Sequence, residues 1–150
     1  QEGGLPDTMV SIPATAPLRL PIDLENCLDE YEKGAADVVV TVTDAHRSPY
    51  FNMVTRQADA SVKLVLRPAV GIVRRQDAPI VYDMTTVAYV LNTNFVLKHA
   101  SLFEGSVHAV HVPIERALDI DTLLDFKMAE MLIAERAAGP VSGTQKEGTE

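Results

Sequence analysis

Two acidic residues, Asp119 and Asp121, form the pair whose type and spacing most readily suggest chemistry. In an extended segment, residues two apart project to the same side, so both carboxylates can converge on one hard cation. Mg²⁺ favours one or two carboxylates together with substrate phosphates, and the helix predicted to follow would point its N-terminal amides toward the same region. Acidic residues are also common as helix caps, and the pair taken alone favours that plainer interpretation.

The histidines and the cysteine define no catalytic set. His108 and His111 lie in an apolar run that predicts a strand, on which residues three apart point to opposite sides. His99 is predicted to cap a helix end, whereas for His46 a turn role and a ligand contact both stay open. Cys27 falls in a helical apolar stripe, which indicates a core residue and not a nucleophile. With no Ser-His-Asp spacing, no CxxC and no Walker-type glycine loop, spacing alone defines no reaction.

Composition excludes several classes of protein. The 150 residues are 47% hydrophobic, enough for one compact domain with a core. The formal net charge of −8 argues against a protein held to a nucleic acid duplex by many phosphate contacts. No apolar run approaches the roughly 20 residues that span a bilayer, and residues 1–8 lack the pattern of a signal peptide. One cysteine fits a reducing compartment, so we expect a cytoplasmic protein that binds neither nucleic acid nor membrane.

The first third of the chain predicts an α/β unit. A short strand at 9–12, a helix at 21–33 that begins with Pro21, and a strand at 37–43 follow one another. The second strand is β-branched almost throughout, which is typical of a strand buried on both faces. This order predicts a βαβ unit and therefore a parallel sheet covered by helices.

The middle of the chain lacks this α/β pattern, because no convincing helix appears between 44 and 75. We therefore predict an extended arm or hairpin inserted in the α/β domain. Its excess of basic residues is compatible both with a solvated hairpin and with a contact to a small anion. The other predicted elements are strands at 62–66, 87–91 and 107–112, a turn at Pro68 and Gly71, a short helix at 92–99, and a last helix capped by Asp121 or Thr122, with Leu124, Met128, Met131 and Leu132 as its apolar face.

Read in order, several segments resemble one family, the acylneuraminate cytidylyltransferases, also called CMP-sialic acid synthetases. The resemblance covers about residues 8–135, and the Leu118–Thr122 segment leading into an acidic helix is its most specific part. The other matching pieces are Thr15-Ala-Pro-Leu-Arg19, Ala45-His-Arg-Ser-Pro-Tyr-Phe-Asn-Met53, Arg74-Arg-Gln-Asp-Ala-Pro79 followed by Tyr82, then Tyr89, Asp125 and Ala129-Glu130.

The resemblance implies a nucleotide-diphospho-sugar-transferase-like (Rossmann-like) three-layer α/β sandwich, of which this chain carries the C-terminal two-thirds. Residues 1–138 would form the partial domain, 44–106 its inserted dimerisation and sugar-binding region, and 139–150 a disordered tail. The implied reaction transfers CMP from CTP to N-acetylneuraminate or a related nonulosonic acid with release of pyrophosphate, assisted by Mg²⁺, in a homodimer.

The resemblance also implies roles for particular residues. Asp119 and Asp121 would hold the Mg²⁺, and Asp121 would also help to deprotonate the attacking hydroxyl. Arg75 would bind the sugar carboxylate, for which a planar guanidinium is suited. The remaining expected substrate-binding residues are Tyr89, Thr15, Arg19 and Gln76, and Leu102 and Phe103 would be lent to the site of the partner subunit.

Three departures from the family pattern qualify these expectations. Pro13 stands where several members have Gln, and Asp83 and Thr85 stand where some have Arg and Asn, which leaves the identity of the sugar open. The family's glycine-rich CTP-binding loop lies upstream of the part represented here, together with the first strand and helix of the sheet. We therefore expect the isolated chain to be inactive and poorly stable. A CMP-Kdo synthetase or other sugar nucleotidyltransferase and a non-catalytic dimerisation or binding module are the alternatives.

Overall fold

A computed structural model describes residues 4–67 and 74–138, and of Arg75 it describes the backbone alone. The predicted turn at Pro68 and Gly71 and the predicted tail at 139–150 lie outside the described residues. The elements in chain order are β1 (Thr8–Ser11), α1 (Pro21–Glu32), β2 (Val38–Asp44), β3 (Val54–Arg56), β4 (Val62–Leu64), β5 (Tyr82–Asn92), α2 (Thr93–Lys98), β6 (Val107–His111) and α3 (Leu123–Ala138), with short 3-10 turns at Arg75–Asp77, Leu102–Glu104 and Ile114–Arg116.

The main sheet has the strand order β1-β5-β2-β6 and is mixed, so the expected parallel sheet is found only in part. β2 and β6 are parallel, but β5 is antiparallel to both of its neighbours, β1 and β2. β1 and β2 therefore run in the same direction, as a βαβ unit requires, but are not adjacent. The predicted strand at 87–91 is the second half of β5, which returns from the middle segment and inserts between them.

Strand β2 forms the centre of the core because four consecutive residues, Val38 to Thr41, are buried. Val39 packs with Cys27 of α1 on one face, and Val38 and Val40 pack with Phe95 of α2 on the other. Alternation along a strand separates these two clusters. The prediction of a strand buried on both faces and that of Cys27 as a core residue are both confirmed.

A bulge interrupts the pairing of β2 with β5 between Val40 and Thr41. The register passes from Val40 opposite Tyr89 to Thr41 opposite Thr85, so β5 carries the extra residues. The buried hydroxyl of Thr41 accepts hydrogen bonds from the Thr85 hydroxyl at 2.7 Å and from the Ala88 amide at 3.3 Å. These bonds pair the Thr41 and Thr85 hydroxyls across the bulge, whereas the buried Thr86 hydroxyl within it has no partner among the described residues.

The arm predicted between 44 and 75 contains a small antiparallel hairpin formed by β3 and β4. Its residues are exposed except for Leu64, and Ala60 in its turn has a positive φ of 66°. The prediction of a hairpin without helices is confirmed for the described part of this segment. β5 and α2, in contrast, belong to the main sheet and its packing.

The last helix, α3, follows the predicted position but buries little within the described residues. Ala129 is its one buried residue, whereas Leu124 of the expected apolar face is 66% exposed. No described helix is both long and apolar enough to cross a bilayer.

Candidate functional site

The carboxyl ends of the parallel strands β2 and β6 bring polar side chains to one edge of the sheet. Asp44 ends β2 and His111 ends β6, with His111 Nε2 3.4 Å from Asp44 Oδ1. Tyr82, which begins the antiparallel β5, lies edge-on to the His111 ring at a centroid distance of 6.1 Å. Ligands in open α/β sheets bind at this edge. His108 faces away and pairs with Glu30 of α1 at 2.8 Å, so the prediction that the two histidines point apart is confirmed.

The segment that carries the expected acidic pair is anchored at both sides. Arg116, just before it, donates to the Asp23 carboxylate with Nε at 3.1 and 3.0 Å and with Nη2 at 2.8 Å. Within the segment, the Ile120 amide donates to the Thr15 carbonyl at 2.8 Å. The loop before α1, the first turn of α1 and the segment 117–121 are thus connected by specific bonds.

Asp119 occupies an unusual environment for a carboxylate. Its Oδ1 atom is buried and has no hydrogen-bond partner among the described residues. Burying such an oxygen without a partner is costly, so it fits a cation or a donor from a ligand. Its charge also acts on Tyr89, whose pKa is raised by burial and, in addition, by the nearby Asp119 carboxylate.

Asp121 is exposed, and the cap of α3 is formed by other residues. The Thr122 amide and hydroxyl both donate to Asp125 Oδ2 at 2.7 Å, and the Asp125 amide donates back to the Thr122 hydroxyl at 3.3 Å. These bonds hold the pKa of Asp125 below its usual value, the Thr122 side chain contributing most. Thr122 is therefore the N-cap, and the Asp121 carboxylate is not needed for that role.

A cleft of about 410 Å³ lies between the sheet edge and α3. Asp119 lines it together with four polar residues. Thr43 lies near the end of β2 and His46 in the loop after it, and Asp83 and Thr85 belong to β5. Its apolar lining includes Met84, Ile114, Met128 and Leu132. The cleft therefore joins a carboxylate-rich polar side to an apolar wall, a composition suited to a small polar ligand with apolar parts.

The other predicted substrate residues are distributed around this region. Thr15 contributes its backbone carbonyl to the segment of Asp119, and its side chain is exposed. The Arg19 guanidinium donates to the Pro13 carbonyl, its Nε atom is buried without a partner among the described residues, and burial lowers its pKa. Gln76 lines a separate cleft of about 230 Å³ that also includes Asp44.

Three further expectations concern Tyr89, Leu102 and Phe103. Tyr89 is half-buried against the cluster around Val38, and Leu102 packs against the same cluster. Phe103 is 71% exposed and borders a groove on the sheet surface together with Tyr82. The Asp119 charge thus acts on Tyr89, whereas the Phe103 ring is exposed to solvent.

Sequence reasoning did not single out Thr43, Asp23 or Arg116. Asp23 carried a signal, since an acidic residue in the first turn of a helix that begins with Pro is a common cap. Its pairing with Arg116, 93 positions away, had no local signal.

Comparison of the structure with solved structures defines the class of fold. The chain matches the crystal structure of 4-diphosphocytidyl-2C-methyl-D-erythritol synthase from Anaerococcus prevotii with a TM-score of 0.59 at 15% identity. The match covers 86% of this chain and 59% of that one. The fold is therefore the expected nucleotide-diphospho-sugar-transferase-like α/β fold.

Sequence comparison then identifies relatives within this class. The chain is 32% identical over 130 residues to post-translational flagellin modification protein B of Campylobacter coli, covering 87% of this chain and 54% of that protein. It is 31% identical over 134 residues to CMP-N,N'-diacetyllegionaminic acid synthase of Campylobacter jejuni, covering 89% and 56%. It is 26% identical over 117 residues to N-acylneuraminate cytidylyltransferase of Streptococcus agalactiae, covering 78% and 28%. No protein-family profile matches.

The resemblance drawn from the motifs is confirmed by these matches: the chain is related to the acylneuraminate cytidylyltransferases over most of its length. The chain spans about half the length of the first two relatives.

Proposed function

We propose that this chain is part of a cytidylyltransferase that transfers CMP from CTP to N-acetylneuraminate or a related nonulosonic acid, releasing pyrophosphate. The printed names of two relatives, a CMP-N,N'-diacetyllegionaminic acid synthase and an N-acylneuraminate cytidylyltransferase, support the reaction class. The observation that carries the proposal is the buried, unpartnered Oδ1 of Asp119 in the cleft before α3.

This oxygen fits a magnesium ion. The described residues contain no group of three or more His, Cys, Asp or Glu that could hold a metal. A site with one or two carboxylates is, however, what Mg²⁺ uses when substrate phosphates complete its coordination. Asp119 and Asp121 would hold the ion, which would supply charge neutralisation at the phosphates of CTP.

The chain's own residues would then position the sugar and move one proton. The anomeric hydroxyl oxygen forms a bond to the α-phosphorus while the bond from that phosphorus to the pyrophosphate oxygen breaks. The exposed carboxylate of Asp121 would accept the hydroxyl proton as general base. Arg75 would bind the sugar carboxylate, Tyr89 would line the sugar site, and Arg19, Thr15 and Gln76 would contact substrate from the surrounding loops.

A homodimer is part of this proposal. The exposed ring of Phe103 and the exposed hairpin of β3 and β4 are surfaces that a second subunit would cover, with Phe103 reaching the partner's site. Leu102, the other residue expected there, would support Phe103 from its place against the cluster around Val38. Binding of nucleic acid or membrane is not part of the proposal, and a cytoplasmic location is expected for an enzyme that uses CTP.

We further propose that these 150 residues are inactive by themselves. Among the described residues no strand pairs with the outer edge of β1, whose Met9 and Val10 are exposed, and α3 is largely uncovered. An unpaired edge and uncovered apolar side chains favour aggregation. The phosphate-binding glycine loop of the family would have to come from additional sequence.

The direct test measures pyrophosphate release by the complete enzyme that carries this chain, with CTP, Mg²⁺ and in turn Neu5Ac, Kdo and legionaminic acid. Turnover with a nine-carbon acid supports the proposal, and turnover with Kdo alone favours the CMP-Kdo alternative. Absence of turnover with every sugar favours a non-catalytic module.

The role of Asp121 is tested by Asp121→Asn, with Asp29→Asn on the exposed side of α1 as a charge-matched control. General-base catalysis typically contributes about 10²–10⁴-fold, so a loss of that order in kcat is expected. Activity of Asp121→Asn within a few-fold of wild type would refute both its metal and its base role.

A further inference from the structure

Thr43 presents a second unexplained polar group in the cleft that contains Asp119. The residue is 6% exposed, it lines the cleft, and its hydroxyl has no hydrogen-bond partner among the described residues. A buried hydroxyl without a partner costs free energy, and a ligand in the cleft can supply the missing bond.

The surroundings of Thr43 restrict what this ligand can be. Asp83 lies directly opposite Thr43 in the register of β2 and β5, and both line the cleft. The described lining residues include no Lys or Arg. Directly beside Thr43, a carboxylate or phosphate would meet the Asp83 charge with no Lys or Arg of the described lining to offset it, which disfavours such a group at that position. A neutral group that offers an N–H or O–H donor is favoured.

The apolar wall adds a second requirement. Met84, Ile114 and Met128 line the same cleft, and apolar side chains favour methyl or methylene groups of a ligand. A neutral group with a donor, an acceptor and a methyl in a small space has the composition of an acylamino substituent.

We propose that Thr43 and Asp83 form a subsite for an N-acylamino group of the sugar substrate. The Thr43 hydroxyl donates to the acyl carbonyl, the Asp83 carboxylate accepts from the amide N–H, and the acyl methyl contacts the wall that includes Met128. The inference rests on the proposed cytidylyltransferase function and deepens it, because it assigns specificity for the sugar to two residues of this chain.

The test compares two sugars in the complete enzyme. One is a nonulosonic acid with an N-acetylamino group, and the other is its analogue with a hydroxyl group in that place. Wild type is expected to prefer the acetylamino sugar in kcat/KM. Thr43→Val and Asp83→Ala are each expected to reduce this preference about tenfold, the order of one net hydrogen bond, with the KM for CTP unchanged. Thr43→Ser, which keeps the hydroxyl, should restore most of the preference.

Thermal unfolding separates this role from a structural one. Because Thr43→Val replaces an unpartnered hydroxyl by a methyl of similar volume, the Tm is expected to stay equal or rise. Thr93→Val is the matched control, since Thr93 is also buried, its hydroxyl also lacks a partner among the described residues, and it does not line the cleft. This control should leave the sugar preference unchanged.

Each result has a defined meaning. An unchanged sugar preference in Thr43→Val, an equal loss for both sugars, or a marked fall in its Tm would overturn the acylamino subsite. If wild type turns over neither sugar with CTP, the proposed function itself fails, and the subsite fails with it.

Discussion

The ion pair between Asp23 and Arg116 offers a quantitative test of how the segment of Asp119 is held. The Asp23 side chain is 2% exposed and that of Arg116 is 20% exposed. Asp23 accepts the bidentate contacts of Arg116 and also the Leu20 amide at 2.8 Å, at the first turn of α1. The pair joins this helix to the turn that precedes segment 117–121.

The expected cost of breaking the pair follows from its burial. Removing one member of a buried ion pair costs about 3–5 kcal/mol, whereas an exposed pair contributes about 0–1 kcal/mol. Since the Arg116 guanidinium can regain part of its hydration, we expect about 3 kcal/mol for Asp23→Asn, which removes the charge but retains an oxygen for the Leu20 amide. Asp29→Asn, at an exposed position of the same helix, should change the free energy of unfolding by less than about 0.5 kcal/mol.

A double-mutant cycle gives the decisive measurement. Urea unfolding of the complete enzyme is compared for wild type, Asp23→Asn, Arg116→Met and the double variant. The double variant leaves neither charge buried without a partner, so its loss should fall short of the sum of the single losses by about 2 kcal/mol. If the losses add within about 0.5 kcal/mol, the two side chains are not coupled. The bidentate contact would then contribute nothing to the free energy of unfolding.

Two further predictions concern packing and pH. A Cβ at Gly105 would lie 2.5 Å from Phe95 Cε2, so Gly105→Ala should destabilise the fold by about 1–3 kcal/mol in urea unfolding. Gly4→Ala, where a Cβ meets nothing within 4 Å, should have little effect, and equal effects of both would contradict the packing at Gly105. Burial, and secondarily the Asp23 charge, raises the pKa of the Cys27 thiol from 9.0 to about 11. The native state therefore keeps a proton that the unfolded chain releases, so this stabilisation is present below pH 9 and lost between pH 9 and about 11. Wild type should lose more stability than Cys27→Ala across that window, and parallel losses would show that the thiol is not buried.

Local pattern was sufficient to predict most elements because each had a local physical cause. The β-branched run at 37–43 predicts β2, Pro21 and the apolar spacing predict α1, and Asn92, whose side chain accepts from the Phe95 amide at 3.0 Å, begins the short helix α2. The neighbours of each strand were not predictable in this way. β5 enters the sheet between β1 and β2 through pairings about 40 to 80 positions apart, and no local pattern specifies an antiparallel strand there.

The candidate site shows the same division between local and long-range information. The spacing of Asp119 and Asp121 and the family motif identified the acidic segment, but the sequence could not distinguish a buried carboxylate from an exposed one. The sequence likewise gave no reason to select Thr43, because it is one of several β-branched residues in the strand predicted at 37–43. Its position in the cleft depends on α3 and on the segment before it, which approach β2 from more than 70 positions away along the chain.

The hydrogen bonds at the start of α3 bear on the plainer interpretation of Asp119 and Asp121, namely that they only cap a helix. Capping of α3 is performed by Thr122 and Asp125, through three hydrogen bonds that need neither Asp119 nor Asp121. Anchoring of the segment is performed by Arg116 with Asp23. Since both structural tasks are assigned to other side chains, a carboxylate oxygen of Asp119 that is buried without a partner has no structural explanation among the described residues. The magnesium ion proposed above, together with CTP, would bring positive charge to that oxygen without disturbing the cap or the ion pair.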